Sequence, residues 1–147
     1  MTVIPAALQD AQQITARVSA DEAAADAERE RLAAGNLPDV SDEAKGGLEL
    51  REGEIVHAIR QVALLEGGSG QTPMGGTLYL TSQRLVHAGQ AVREAELTEI
   101  AEIAVALERV LLVDLADGSD LALEVDQPRL LRVQLAAARS AVRERAE

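Results

Sequence analysis

Apolar and polar positions alternate most cleanly along residues 76–89, where Leu78 and Leu80 stand between Thr77, Tyr79 and Thr81. After a polar corner at Ser82-Gln83, Leu85 and Val86 lead to Gly89. A period of two on both sides of a polar corner predicts two short antiparallel strands, a hairpin. Residues 54–65 hold Ile55, Val56, Ile59, Val62, Leu64 and Leu65 with few breaks and predict the first strand. Residues 92–97, 100–106, 109–116 and 121–125 predict four more, the last two joined by the turn signal Asp117-Gly118. Seven strands result, with a glycine-rich loop expected at residues 66–75.

The ends of the chain change period. Residues 5–34 are rich in Ala, Gln, Glu and Arg, with Ile4, Leu8, Ala11, Ile14 and Val18 three and four apart, which predicts a helix with one weakly apolar face. Ser19-Ala20-Asp21-Glu22 matches a capping box, so a second helix is expected from Ala20 to a stop at Gly35. Leu32 is its only large apolar residue, which predicts a helix exposed to solvent or docked on another chain. Residues 36–47, with Pro38, Gly46 and Gly47, read as a polar linker. At the far end Pro128 suits the first turn of a helix, where its missing amide costs nothing. Leu131, Leu135, Ala138 and Val142 then form one apolar stripe with Leu130 beside it. The chain divides into a helical segment 1–36, a linker 37–47 and a β-rich domain 48–147.

The hairpin wording adds to the pattern. A glycine, a strand bearing Tyr79, then Leu80-Thr81-Ser82-Gln83-Arg84-Leu85-Val86 resembles the central hairpin of GRAM and bacterial PH-like domains, which carry a Leu-Thr-x-x-Arg-Leu run there. Leu50-Arg51-Glu52-Gly53-Glu54, Glu96-Leu97-Thr98-Glu99-Ile100 and Asp117-Gly118 support the resemblance, which spans residues 48–142. It implies a mainly β fold with flanking helices: a PH-like seven-stranded antiparallel sandwich or barrel capped by the C-terminal helix, preceded by the N-terminal helical segment. The expected function is a non-enzymatic interaction module, adaptor-like in character, that binds a protein through an exposed strand edge or the groove beside the C-terminal helix, because such folds leave edge backbone groups able to accept an added strand. Many relatives bind lipid, so a peripheral membrane domain is the alternative, with Arg60 and Arg84 as the candidate lipid-binding residues. The chain departs from the lysine-rich pattern of inositide-binding PH domains, since Lys45 is its only lysine.

Composition narrows the function classes. The chain has 147 residues, enough for one domain that buries roughly two-thirds of its unfolded surface. With no Phe, no Trp and one Tyr, its core must be aliphatic and it offers no platform for stacking bases. A net charge of −11 opposes binding to nucleic acid and to anionic membranes. The absence of cysteine removes disulfides, thiolate metal sites and thiol nucleophiles. No secretory leader or membrane span is legible, and a cytoplasmic protein is expected.

No catalytic constellation emerges, and no metal or cofactor is expected. The glycine loop precedes a strand, not the helix a phosphate-binding loop requires. His57 and His87 fall in strands without a convergent partner and read as half-buried or exposed strand residues. Asp114, Asp117 and Asp120 lack the spaced ligand set of a calcium loop and suit a turn. Ser69, Thr81, Ser82 and Ser119 have no nucleophile elbow around them. Charge is distributed unevenly: residues 49–127 carry a net −9 and residues 128–147 a net +3. The arginines of the last helix therefore either meet acidic strand edges or an acidic helix such as residues 21–30, from the same chain or another. Leu8, Ile14 and Val18 on the first helix and Arg132 and Arg139 on the last are the candidate partner-binding residues, the client being a protein or a second copy of the chain.

Overall fold

The computed structural model describes residues 6–65 and 73–146. Seven strands follow one another: β1 (Val56–Leu65), β2 (Met74–Thr81), β3 (Arg84–Ala88), β4 (Val92–Glu96), β5 (Ile100–Ala106), β6 (Val110–Leu115) and β7 (Asp120–Glu124). Helices α1 (Ala6–Ala34) and α2 (Pro128–Ala146) flank them. The strands form one antiparallel sheet in the order β4-β3-β2-β1-β7-β6-β5, so β1 joins two meanders and β4 and β5 are its free edges. A register shift between Val56 and Ala58 bends β1, and a second between Ile100 and Glu102 bends β5. The expected glycine-rich loop lies, for residues 66–72, outside the described residues.

Alternation decides the core. Ala58, Val62 and Leu64 of β1 face Leu78, Leu80 and Leu85 of the hairpin and Leu111, Val113 and Leu123 of the second meander. Leu131, Leu135 and Ala138 of α2 close this cluster, all within 1% of full burial. The predicted stripe is thus the helix face that plugs the sheet, each leucine contributing about 1.5–3 kcal/mol of apolar burial.

Three expectations need correction. Residues 37–47 are not a free linker: they fold across the outer face of the sheet. Ala44 is buried there with Val56, Tyr79 and Val86, and Val40 and Leu48 pack against them. Val40 N–H donates to Val56 O at 2.7 Å, and Ser41 Oγ accepts from Val56 N–H at 3.0 Å. The polar look of the segment hid an apolar spacing of four, Val40, Ala44, Leu48. Second, α1 is continuous through Ser19, so no helix starts at Ala20. Asp21 instead caps α2: its carboxylate accepts from Arg129 N–H at 2.8 Å and Leu130 N–H at 3.0 Å. Third, the second half of α1 is neither free nor reserved for another chain. Asp21 and Ala25 are buried at the base of α2, and further on Leu32 lines a recess with Ala137 and Ser140, so the two helices run side by side in one direction.

His57 is half-buried as expected, its Nδ1 2.8 Å from Pro38 O. His87 is more deeply buried than its strand position suggested, with Nε2 2.9 Å from Val62 O. Gly76 on the neighbouring strand makes room: a Cβ there would stand 2.8 Å from His87 Cε1.

Candidate functional site: the β5 edge and the arginine face of α2

The groups considered for chemistry do not converge. Among the described residues no cluster of three or more His, Asp or Glu is placed to hold a metal. His57 and His87 each contact a different backbone carbonyl. Asp117 accepts from Ser119 N–H at 2.8 Å and from its hydroxyl at 2.5 Å, bonds that hold its carboxyl below the usual range and build the turn.

Arg84 and Arg60 occupy separate environments. Arg84 is 8% exposed, and its guanidinium spans Glu54, whose oxygens lie 2.8 and 3.1 Å away, Glu94 at 2.9 Å and Glu49 O at 2.9 Å. Thr81 Oγ1 donates to the same Glu54 at 2.6 Å. Burial pushes Glu54 up, but the bonds from Arg84, Thr81 and the Arg51 amide outweigh it and hold the carboxyl below its ordinary value. The Leu-Thr-x-x-Arg-Leu wording is therefore a structural lock: Thr81 Oγ1 also accepts from Gln83 and Arg84 amides, fixing the corner. Arg60 lies under the helices, with Nη2 3.4 Å from Gln134 Oε1. Burial lowers its pKa, opposed by the fields of Asp126, Asp21 and Glu28. The two cations share no partner.

The two free edges differ in chemistry. β4 reads Val92-Arg93-Glu94-Ala95-Glu96, three charges in five residues. Arg51 bridges Glu96, at 3.0 and 2.5 Å, across its end. Charged side chains on an edge discourage strand pairing. β5 carries one charge, Glu102, in seven residues. Its inward side chains Ile103 and Val105 pack on the core, and Ala101 and Ala104 are exposed. Arg109, just before β6, and Leu115 at its end direct their backbone bonds toward the β7 side, so by alternation Val110, Leu112 and Asp114 bond to β5, opposite Ala106, Ala104 and Glu102. Antiparallel alternation then leaves Ile103 and Val105 of β5 with N–H and C=O pointing away from the sheet.

That edge faces α2. Arg139 Nη1 donates to Ala101 O at 3.0 Å and Arg143 Nη2 to Ile100 O at 3.2 Å. At the other end of β5, Val105 lines a cleft of about 390 Å³ with Arg129 and Arg132 of α2 and Glu22, Asp26 and Arg29 of α1. Helix and strand therefore run in opposite directions with a groove between them, walled at one end by α1. Asp21 takes up Arg129, at 3.4 Å. Of the expected acidic-helix contact, this pair and the cap are what forms. Arg132 and Arg139, the candidates from the sequence, stand on this groove, together with Arg143.

The apolar candidates on α1 sit elsewhere. Ile14 and Val18 are half-buried against Glu108, Arg109 and Pro128, just beyond the start of α2. Leu8, near the start of α1, is 50% exposed. Sequence reasoning expected an exposed strand edge or the groove beside the last helix but did not say which strand is the edge. The signal for β5 was the near absence of charge in residues 100–106 on a strand that topology makes an edge.

No family model matches the chain, and no curated protein matches it. Solved structures do. The chain resembles the N-terminal PH domain of human ARAP2 with a TM-score of 0.51 and 8% identity, covering 69% of this chain and 89% of that one. The fold is PH-like. A C-terminal domain of an unknown protein from Leishmania infantum aligns with a TM-score of 0.49 and 20% identity, over 58% of this chain and 87% of that one. Inner Membrane Complex Sub-compartment Protein 3 from Toxoplasma gondii aligns at 0.47 and 13% identity, over 60% and 77%. Such identities bear on the fold alone. Among the described residues, no helix is long and apolar enough to cross a membrane.

Proposed function

We propose that the chain is a non-enzymatic, adaptor-like PH-like module that recognises a protein by accepting an extended segment along β5, in the groove beside α2. The observation that carries this reading is the contrast between the two edges: β4 is guarded by Glu94, Glu96 and Arg51, whereas β5 offers the outward backbone of Ile103 and Val105 with one charge along the strand. Added strands gain affinity from main-chain hydrogen bonds and specificity from the pockets flanking them, and the Val105 cleft supplies such a pocket. The hairpin wording supports a place near the GRAM and bacterial PH-like members of the fold, and a cytoplasmic setting belongs to the same reading. Lipid binding through Arg60 and Arg84 has less support, because Arg84 is held by two carboxylates and Arg60 lies under the helices.

Selection of random nine-residue peptides against the full chain tests the proposal. Val105→Pro removes one outward N–H without breaking the internal ladder, since proline is tolerated on an edge facing outward. Selected peptides are expected to lose binding to this variant while its circular dichroism stays unchanged. Chemical-shift mapping on the unaltered chain checks the same point independently. Peptides that bind away from β5 would overturn the proposal.

A further inference from the structure

The groove carries positive charge that the rest of the molecule does not match. Arg132, Arg139 and Arg143 are seven and four residues apart, which at about 100° per residue places them within about 40° of one another on one face of α2. Among the described residues none has a carboxylate within ion-pair distance, although Asp and Glu number 25 against 14 Lys and Arg in the chain. Among the described residues Arg132 makes no hydrogen bond, and Arg139 and Arg143 each reach a neutral carbonyl of the β5 end. Arg139 Nε is buried without an acceptor. Burial first, and then the neighbouring Arg143, lowers the Arg139 pKa. Arg132 and Arg143 are exposed and keep their water, whereas Arg139 is half-buried with its Nε unpartnered; a guanidinium that loses water without meeting an anion is costly, and a carboxylate brought beside it relieves that cost.

The acids around the groove do not meet this need. Glu102 stands opposite Asp114 in the β5–β6 register, on the strand face away from the core. Asp26 is taken by Arg29 at 2.7 Å and Asp21 by the α2 terminus. Glu22 is exposed at the cleft rim.

We propose that the segment received along β5 is acidic, with carboxylates on alternate residues that pair with Arg143, Arg139 and Arg132. The inference rests on the β5 edge reading above and adds the chemistry of the partner. The spacing fits: four helical residues rise about 6 Å between Arg139 and Arg143, and two strand residues span about 6.8 Å. Arg132 lies about 10.5 Å further along, between two and four strand residues, within the reach of its long side chain.

The test compares two nine-residue peptides by fluorescence anisotropy on the full chain, with backbone amide shifts recorded in parallel. One alternates glutamate with threonine and valine; the other carries glutamine in place of every glutamate. The glutamate peptide is expected to bind at least tenfold more tightly, to weaken with added salt, and to shift the Ile103 and Val105 amides. Arg139→Gln with Arg143→Gln should abolish the difference between the peptides; Arg132→Gln, which removes no internal bond, should reduce it on its own. Equal binding of both peptides with β5 shifts would overturn the acidic inference and leave the edge reading standing. Failure of both to bind below about 1 mM, or shifts confined to other surfaces, would overturn both. Binding to phosphatidylserine vesicles in preference to the glutamate peptide would replace the peptide by an anionic membrane and overturn the proposal as well.

Discussion

Replacing Arg84 by methionine isolates the lock beneath the hairpin corner. The Glu54 side chain is 0% exposed and that of Arg84 9%, so the substitution leaves a carboxylate in the interior with Thr81 and the Arg51 amide as its remaining donors. It also frees Glu94 and the Glu49 carbonyl. Removing one partner of a buried pair costs about 3–5 kcal/mol. For a chain of this size that corresponds to a fall in Tm of roughly 6–20 °C. The pH dependence gives the mechanism. In the unaltered chain the Glu54 carboxyl is held below its ordinary value, so the stability it contributes is complete above about pH 4.3 and is lost as pH falls through the lower folded value. Without Arg84, burial dominates and raises that carboxyl, which then gains by taking up a proton. The gap in Tm between the two proteins should therefore narrow from neutral pH toward about pH 4. Adding Glu54→Gln to Arg84→Met should recover much of the loss, because no buried charge remains. Differential scanning calorimetry of the single and double variants across pH measures all of this. A single-variant loss under about 1 kcal/mol, the range of an exposed pair, would refute the reasoning, as would a gap that widens on acidification.

Other consequences are simpler to read. Asp21→Ala removes the cap of α2 and should cost about 0.5–2 kcal/mol, with faster amide exchange over residues 21–34 of α1 than elsewhere; unchanged exchange there would separate the cap from the docking of α1. Gly47→Ala would drive a methyl group into the Tyr79 hydroxyl, and overpacking of this kind costs about 1–3 kcal/mol, measurable by urea unfolding. The β5–β6 turn holds Leu107 and Glu108 at φ of 52° and 72°. Glu108→Gly should stabilise the chain by up to about 1 kcal/mol, and a loss of stability would show that the Glu108 side chain matters more than its backbone.

The strands were legible because a period of two survives in the aliphatic main core: Leu78, Leu80 and Leu85 report its face wherever they stand. The final helix was legible for a similar reason, its stripe being set by Leu131, Leu135 and Ala138. Pairings between distant parts of the chain were not. Residues 19–22 have the local signature of a capping box, with Ser19 as the cap and Glu22 three residues on, yet the capping that forms there is by Asp21, and the amides it caps belong to residues 129 and 130. Residues 37–47 look polar on average, and three apolar positions sufficed to dock them. The charge of the last helix could be counted, but alternation along one strand does not say which strand is the edge. That followed only from the sheet order, which made β5 terminal and set Arg139 and Arg143 against its carbonyls.

Backbone amide exchange is the measurement that bears most directly on β5 as the recognition edge. It would be recorded by NMR on the full chain, free and saturated with the tightest peptide selected from the random library. Ile103 and Val105 are expected to gain strong protection while β4, Val92–Glu96, exchanges as before. Protection of β4, or of neither edge, would contradict strand addition at β5.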